Sequence, residues 1–186
     1  MSSTYVVLAC LISALPGPPG VRYEDAYIQL LPVDKTKCPT IDPVRDIAYH
    51  LFTRNNPLMP DVLKIGDDVA LAHSHMNFSD PTVIFFHAFL ESSTGTTAWT
   101  IKTAYLQRKQ HNLILLNAPR LEAGPWYFTA AGNTRVVGEY TATFIDYLVS
   151  RGLQLQSLHL VGLSLGAQMA GVTGSNVRSG RIPRIT

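Results

Sequence analysis

Leu158-His159-Leu160-Val161-Gly162-Leu163-Ser164-Leu165-Gly166-Ala167 is the stretch that decides the architecture. Leu158 to Val161 is an apolar run of strand length, and from Leu165 onward the residues are small and helix-compatible. Between them Gly162-Leu163-Ser164-Leu165-Gly166 matches G-x-S-x-G. A sharp turn from strand to helix holds such a serine hydroxyl clear of the sheet. Side chains at the two glycines would collide with neighbouring strands. The start of the helix also presents an amide and a favourable dipole to developing negative charge. Ser164 is therefore the candidate nucleophile, with Gly162, Leu163 and Gly166 shaping its elbow. A glycine-rich turn in a sheet that binds something else is the competing reading, and the strand-to-helix context favours the nucleophile.

Working outward toward the amino terminus, the same alternation recurs. Thr82-Val83-Ile84-Phe85-Phe86 is a continuous β-branched and aromatic run, as expected of a strand buried on both faces. Thr97 to Gln110 reads as a helix with Trp99, Ile101, Tyr105 and Leu106 toward the core. Leu113-Ile114-Leu115-Leu116 is a second buried strand, stopped by Pro119. Thr134 to Ser150 is a second helix, with Val137, Tyr140, Phe144 and Leu148 at three- and four-residue spacing and Gly152 marking its end. Ile47 to Phe52 is a further short strand that stops at Thr53-Arg54-Asn55-Asn56-Pro57, and Asp67 to Asn77 contains another. Strand and helix in alternation predict an α/β fold, a mostly parallel sheet with helices on both faces. Reactive groups in such sheets gather beyond the carboxyl ends of the strands.

An apolar fraction of 46% and a charged fraction of 15% place the chain among globular proteins. A net charge of +2 is too small to imply nucleic acid or an acidic surface as partner. Arg178, Arg181 and Arg184 read as a solvated segment. Tyr5 to Leu15 is apolar but too short to span a bilayer, and Pro16-Gly17-Pro18-Pro19-Gly20 ends it. Residues 1–20 are expected to be a secretory signal and 21–186 the domain that is exported. Cys10 would leave with the signal, so Cys38 is either a free buried thiol or paired outside this sequence. Asn77-Phe78-Ser79 is the sole glycosylation sequon and agrees with secretion. His87 and His159 read as structural residues at and within strands. His73 and His75 would share one side of a strand, but no Cys or acid at ligand spacing completes a metal site, and none is expected.

The wider sequence resembles the pancreatic-lipase family, most closely its insect branch. The residues that carry this, in family order, are Phe52-Thr53-Arg54-Asn55-Asn56-Pro57, His87-Ala88-Phe89, Ala123-Gly124-Pro125-Trp126-Tyr127, Asn133-Thr134-Arg135-Val136-Val137-Gly138 and His159 to Gly171. The resemblance implies an α/β-hydrolase fold and hydrolysis of a lipid ester at a lipid–water interface. It further implies a Ser-Asp-His triad that needs no cofactor, and an oxyanion hole made from the amides of Phe89 and Leu165. Three positions depart from the family pattern: Leu163 replaces the usual His, Ala88 the usual Gly, and Asn117-Ala118 the usual Asp-Trp. If position 88 needs positive φ, Ala88 would carry about 1–2 kcal/mol of strain.

No Asp, Glu or His follows Ser164 in this chain, whereas the triad of such hydrolases runs in the order Ser, acid, His. The resemblance implies Gly-Leu-Asp-Pro directly after Arg184-Ile185-Thr186. The chain is expected to stop after the nucleophile helix and before its acid, leaving Leu158 to Val161 as an exposed sheet edge. Two functions remain open: a secreted triacylglycerol lipase or sn-1 phospholipase, and a catalytically inactive relative that binds or stores lipid, like insect yolk proteins. Ser164 favours the first, since those yolk proteins have lost the nucleophile.

Overall fold

The structure, a computed structural model, describes residues 42–108, 110–118 and 127–186. The expected signal segment 1–20, Cys10, Cys38, Pro119 and the motif residues Ala123-Gly124-Pro125-Trp126 lie outside the described residues. Within them the order is α1 (Pro43–Asp46), β1 (Ala48–Phe52), β2 (Asp61–Leu63), α2 (Asp68–His73), β3 (Thr82–Phe86) and α3 (Thr96–Arg108). There follow β4 (Asn112–Asn117), α4 (Tyr127–Ser150), β5 (Leu158–Gly162), α5 (Leu165–Asn176) and β6 (Arg184–Ile185).

The strands form one sheet in the order β2-β1-β4-β3-β5-β6. Strands β4, β3, β5 and β6 run parallel, while β1 is antiparallel to both β4 and β2. Period-two alternation distributes β3 between two cores. Ile84 and Phe86 join the larger core with Val137, Phe144 and Leu148 of α4 and Met169 and Ala170 of α5. Val83 and Phe85 face the opposite side, against Ala98, Ile101, Tyr105 and Leu106 of α3. Helices therefore cover both faces, as the alternation of elements predicts, and the arrangement is the α/β-hydrolase fold that the family resemblance implies.

Local chemistry explains the punctuation. Asn56 is buried in the turn after β1, where its Oδ1 accepts from the Thr53 amide and hydroxyl and its Nδ2 donates to the Leu51 carbonyl. Arg54 beside it donates to the carbonyls of Leu106 and Gln107, satisfying the last turn of α3. Gly152, at φ 119, ends α4: its amide reaches the Val149 carbonyl and the Leu153 amide reaches that of Leu148, a Schellman pattern.

Several elements differ from expectation. Asp68–His73 is a helical turn and a half, not a strand, because Asp67 caps it by accepting from the Ala70 amide. Trp99 is 61% exposed on the outer side of α3 instead of facing the core. Helix α4 begins at Tyr127, well before Thr134. Strand β5 is not an edge: β6 pairs with it through His159↔Arg184 and Leu160↔Ile185. A two-residue strand carries no periodicity, so nothing in its sequence announces it.

Candidate active site

Strand β5 ends at Gly162 and α5 begins at Leu165, so Ser164 occupies the junction as N-cap of the helix. Its backbone stands at φ 55, ψ −119, outside the regions that L-residues ordinarily populate. The close approach of the chain to itself requires the flanking glycines. A Cβ on Gly162 would lie 2.5 Å from the Ala167 Cα, and one on Gly166 would lie 2.6 Å from the His87 carbonyl oxygen. The elbow is also tied to β3, since the Leu163 amide donates to the Phe86 carbonyl at 3.1 Å. Ser164 is exposed, and no hydrogen bond engages its hydroxyl among the described residues. Helical bonding starts at the Gly166 and Ala167 amides, which reach the carbonyls of Leu163 and Ser164. The Leu165 amide, one residue earlier, donates to no described residue.

The second component is the connection from β3 to α3. His87 is fully buried at the end of β3. Its Nδ1 donates to the Ala88 carbonyl at 3.0 Å, and its Nε2 accepts from the Ala118 amide at 3.5 Å. Burial lowers the pKa of its ring, outweighing the Ala88 hydrogen bond and the Glu91 charge, which raise it. A four-residue turn follows, closed by the Glu91 amide on the Ala88 carbonyl at 3.1 Å, with Leu90 third in it at φ 66. Glu91 returns both carboxylate oxygens to the same connection, accepting from the Ala88 amide at 3.2 Å and from the Thr97 hydroxyl at 2.5 Å. Ser93 is buried and donates its hydroxyl to Asn117 Oδ1 at 2.9 Å, while His50 Nδ1 lies 2.9 Å from the same hydroxyl. Burial lowers the His50 pKa as well. The connection carrying Phe89 is thus pinned to β1, β4 and α3.

The structure brings Ser164, Leu165 and the Phe89-bearing turn to the carboxyl ends of β5 and β3, where the elbow packs on the last residues of β3. Position 88 proves unstrained: the left-handed residue is Leu90, not Ala88, because the turn places its third residue there. His159 is not a core residue. It is half-buried, and its Nε2 meets the Thr186 hydroxyl at 2.9 Å, with burial and then Arg184 lowering its pKa. His73 and His75 part company, Nδ1 of the first donating to the Val69 carbonyl and the second pairing with Asp61. Asn77 is exposed in a turn, with Oδ1 accepting from the Ser79 amide and Nδ2 donating to Asp80. Sequence reasoning missed Glu91, whose bonds close a turn that no motif encodes, and Ser93 and His50, whose partners lie on other elements.

Residues 29–186 match the family described as Lipase. Over 188 aligned residues the chain is 35% identical to a protein named "Putative endothelial lipase" from Crotalus adamanteus, covering 96% of this chain and 36% of that one. It is 32% identical to Lipase member H from Xenopus tropicalis, over 73% of this chain and 29% of that one. It is 31% identical to Inactive pancreatic lipase-related protein 1 from Mus musculus, over 74% of this chain and 29% of that one. The chain spans about a third of the length of such relatives.

Proposed function

The chain belongs to the Lipase family, and from that membership we propose that it supplies the nucleophile and oxyanion-stabilising amides of a secreted serine hydrolase of lipid esters. Ser164 Oγ attacks the ester carbonyl carbon of a triacylglycerol or the sn-1 ester of a phospholipid. The carbonyl electrons shift onto oxygen, where the amides of Phe89 and Leu165 receive the charge. An imidazole takes the serine proton and passes it to the departing alcohol, and an acid orients that imidazole. In this scheme neither of these two groups is assigned to a residue following Ser164 here, none of which is Asp, Glu or His.

The observation that carries this proposal is the backbone of Ser164, left-handed between two glycines that no larger residue can replace, with an exposed hydroxyl. A left-handed serine costs stability on the order of 1–3 kcal/mol, and such strain concentrates at functional sites. Treating the full-length protein with a fluorophosphonate ester should label Ser164, and Ser164→Ala should abolish labelling and ester hydrolysis together. Labelling of the variant equal to wild type overturns the assignment.

A second reading, an inactive lipid-binding or storage relative, draws support from the similarity to a relative named inactive and from the departures at Leu163 and Asn117-Ala118. The same experiment separates the two, because wild-type protein that binds lipid vesicles yet takes no label at Ser164 favours the second. Secretion is part of the proposal, supported by the apolar run from Tyr5 to Leu15 and the exposed sequon at Asn77. Secreted material should migrate faster after peptide-N-glycosidase treatment, and Asn77→Gln should remove that shift. A shift that persists in the variant excludes Asn77 as the glycan site.

A further inference from the structure

Among the described residues His87 is the most completely buried imidazole, and the scheme above gives it no chemical step. Its two ring nitrogens nevertheless have fixed and opposite duties. The Ala88 carbonyl can only accept, so Nδ1 must carry hydrogen. The Ala118 amide can only donate, so Nε2 must be bare. The tautomer is therefore determined by backbone groups on two different elements, the turn after β3 and the end of β4.

We propose that His87 is a positioning residue for the reaction, holding the Phe89 amide in the direction of the developing oxyanion. The link is the planarity of one peptide unit. The Ala88 carbonyl and the Phe89 N–H belong to the same rigid plane and point in opposite directions. Whatever fixes the carbonyl fixes the aim of the N–H. Two donors hold that carbonyl: the Glu91 amide at 3.1 Å, which closes the turn, and His87 Nδ1 at 3.0 Å, which anchors it to the sheet. The turn alone sets its own shape; the ring ties the Ala88 carbonyl itself to the end of β4, while the Ser93–Asn117 bond holds a later part of the connection there.

This device tolerates one protonation state. A second ring proton would set Nε2–H against the Ala118 N–H, in a site with no exposure to water. Burial already favours the neutral ring. Among the described residues the charged group acting on it is Glu91 in its own turn, whose pull toward the charged form is the weakest of the three influences. Gly166 of α5, without charge, closes on the His87 backbone carbonyl, and at the end of β4 the ring meets the backbone amide of Ala118. The turn should accordingly loosen in acid, independently of the triad imidazole.

The inference rests on the oxyanion role given to Phe89, and two kinds of measurement on the full-length protein test it separately. In the first, ring nitrogen chemical shifts of His87 are recorded in Ser164→Ala protein. The neutral Nδ1–H tautomer is expected at neutral pH, and an Nε2–H tautomer or an imidazolium overturns the proposal whether or not any variant folds. In the second, His87→Phe and His87→Gln are assayed on a soluble ester. Loss of one oxyanion donor lowers kcat by roughly a hundredfold to a thousandfold, so a misaimed one in His87→Phe should lower kcat about tenfold to a hundredfold with KM little changed. The Gln side chain offers an NH2 donor group and a carbonyl acceptor and should recover part of that loss. The acid limb of log kcat should show two protonations in wild type and one in His87→Gln. A wild-type kcat in His87→Phe, or a loss confined to KM, overturns the proposal. Retained hydrolysis in Ser164→Ala would instead overturn the nucleophile assignment and leave the tautomer result standing.

Discussion

Among the described residues two non-glycines have left-handed backbones, Ser164 and Leu90, and they had different visibility in the sequence. The elbow at Ser164 was legible because five consecutive residues spell it. Leu90 was not, because the strain comes from a turn whose closing bond, Glu91 to Ala88, no motif encodes. The expectation that residue 88 bears the strain located the right turn and the wrong residue. A left-handed L-residue costs about 1–2 kcal/mol, and glycine in its place loses roughly 0.5–1 kcal/mol in unfolded-state entropy. Leu90→Gly should therefore be neutral to about 1 kcal/mol stabilising, whereas Ala88→Gly should cost about 0.5–1 kcal/mol with no strain to relieve. Urea midpoints of the two variants check the order, and an Ala88→Gly protein more stable than wild type would contradict it.

Among the elements, those with a sustained period were recoverable and those defined by contact were not. Strands β3, β4 and β5 are buried apolar runs, and α4 shows a three- and four-residue stripe ending at Gly152. Helix α2 misled because it is too short to display a period, and its one signal, the cap at Asp67, sits in a pair of acids. Trp99 misled because aromatic residues usually face inward, whereas this one does not. Gly138 shows how an element boundary becomes functional. A Cβ there would lie 2.6 Å from Val172 Cβ and 3.0 Å from the Met169 carbonyl, so the glycine lets α4 and α5 touch. The Thr173 hydroxyl uses that proximity to donate to the Gly138 carbonyl at 3.2 Å. Since Ser164 is the N-cap of α5, displacing the helix moves the nucleophile. Gly138→Val should destabilise by about 1–3 kcal/mol through overpacking, and Val172→Ala should restore part of that in the double variant. Strict additivity of the two changes in denaturant unfolding would show that the helices do not meet there.

At the scale of the whole molecule, acid should act in two stages. His87, His50 and His159 all have pKa values lowered in the fold, chiefly by burial. The unfolded chain, with imidazoles near 6.5, takes up these protons first, so stability falls as pH drops below about 6.5. Asp68 is lowered by the Arg151 and Tyr147 hydrogen bonds, and Asp146 because bonds from Ser179 and Arg178 together outweigh the effect of burial. Their contribution is present above about pH 4 and disappears only as pH falls through their folded values. Unfolding midpoints between pH 8 and pH 5 should decline in wild type and decline less in His87→Gln; a flat wild-type profile would contradict the buried neutral rings. One long-range contact also has a consequence for synthesis. The Tyr49 hydroxyl donates to Thr141 across 92 residues, and its ring stacks on Phe144 at 3.7 Å between centroids. A ribosome adding 5–20 residues per second needs roughly 5–20 s to cover that interval. For that time Tyr49 and Leu51 have left the decoding centre while the helix that buries them does not yet exist, and what shields them is a chaperone or the nascent chain itself.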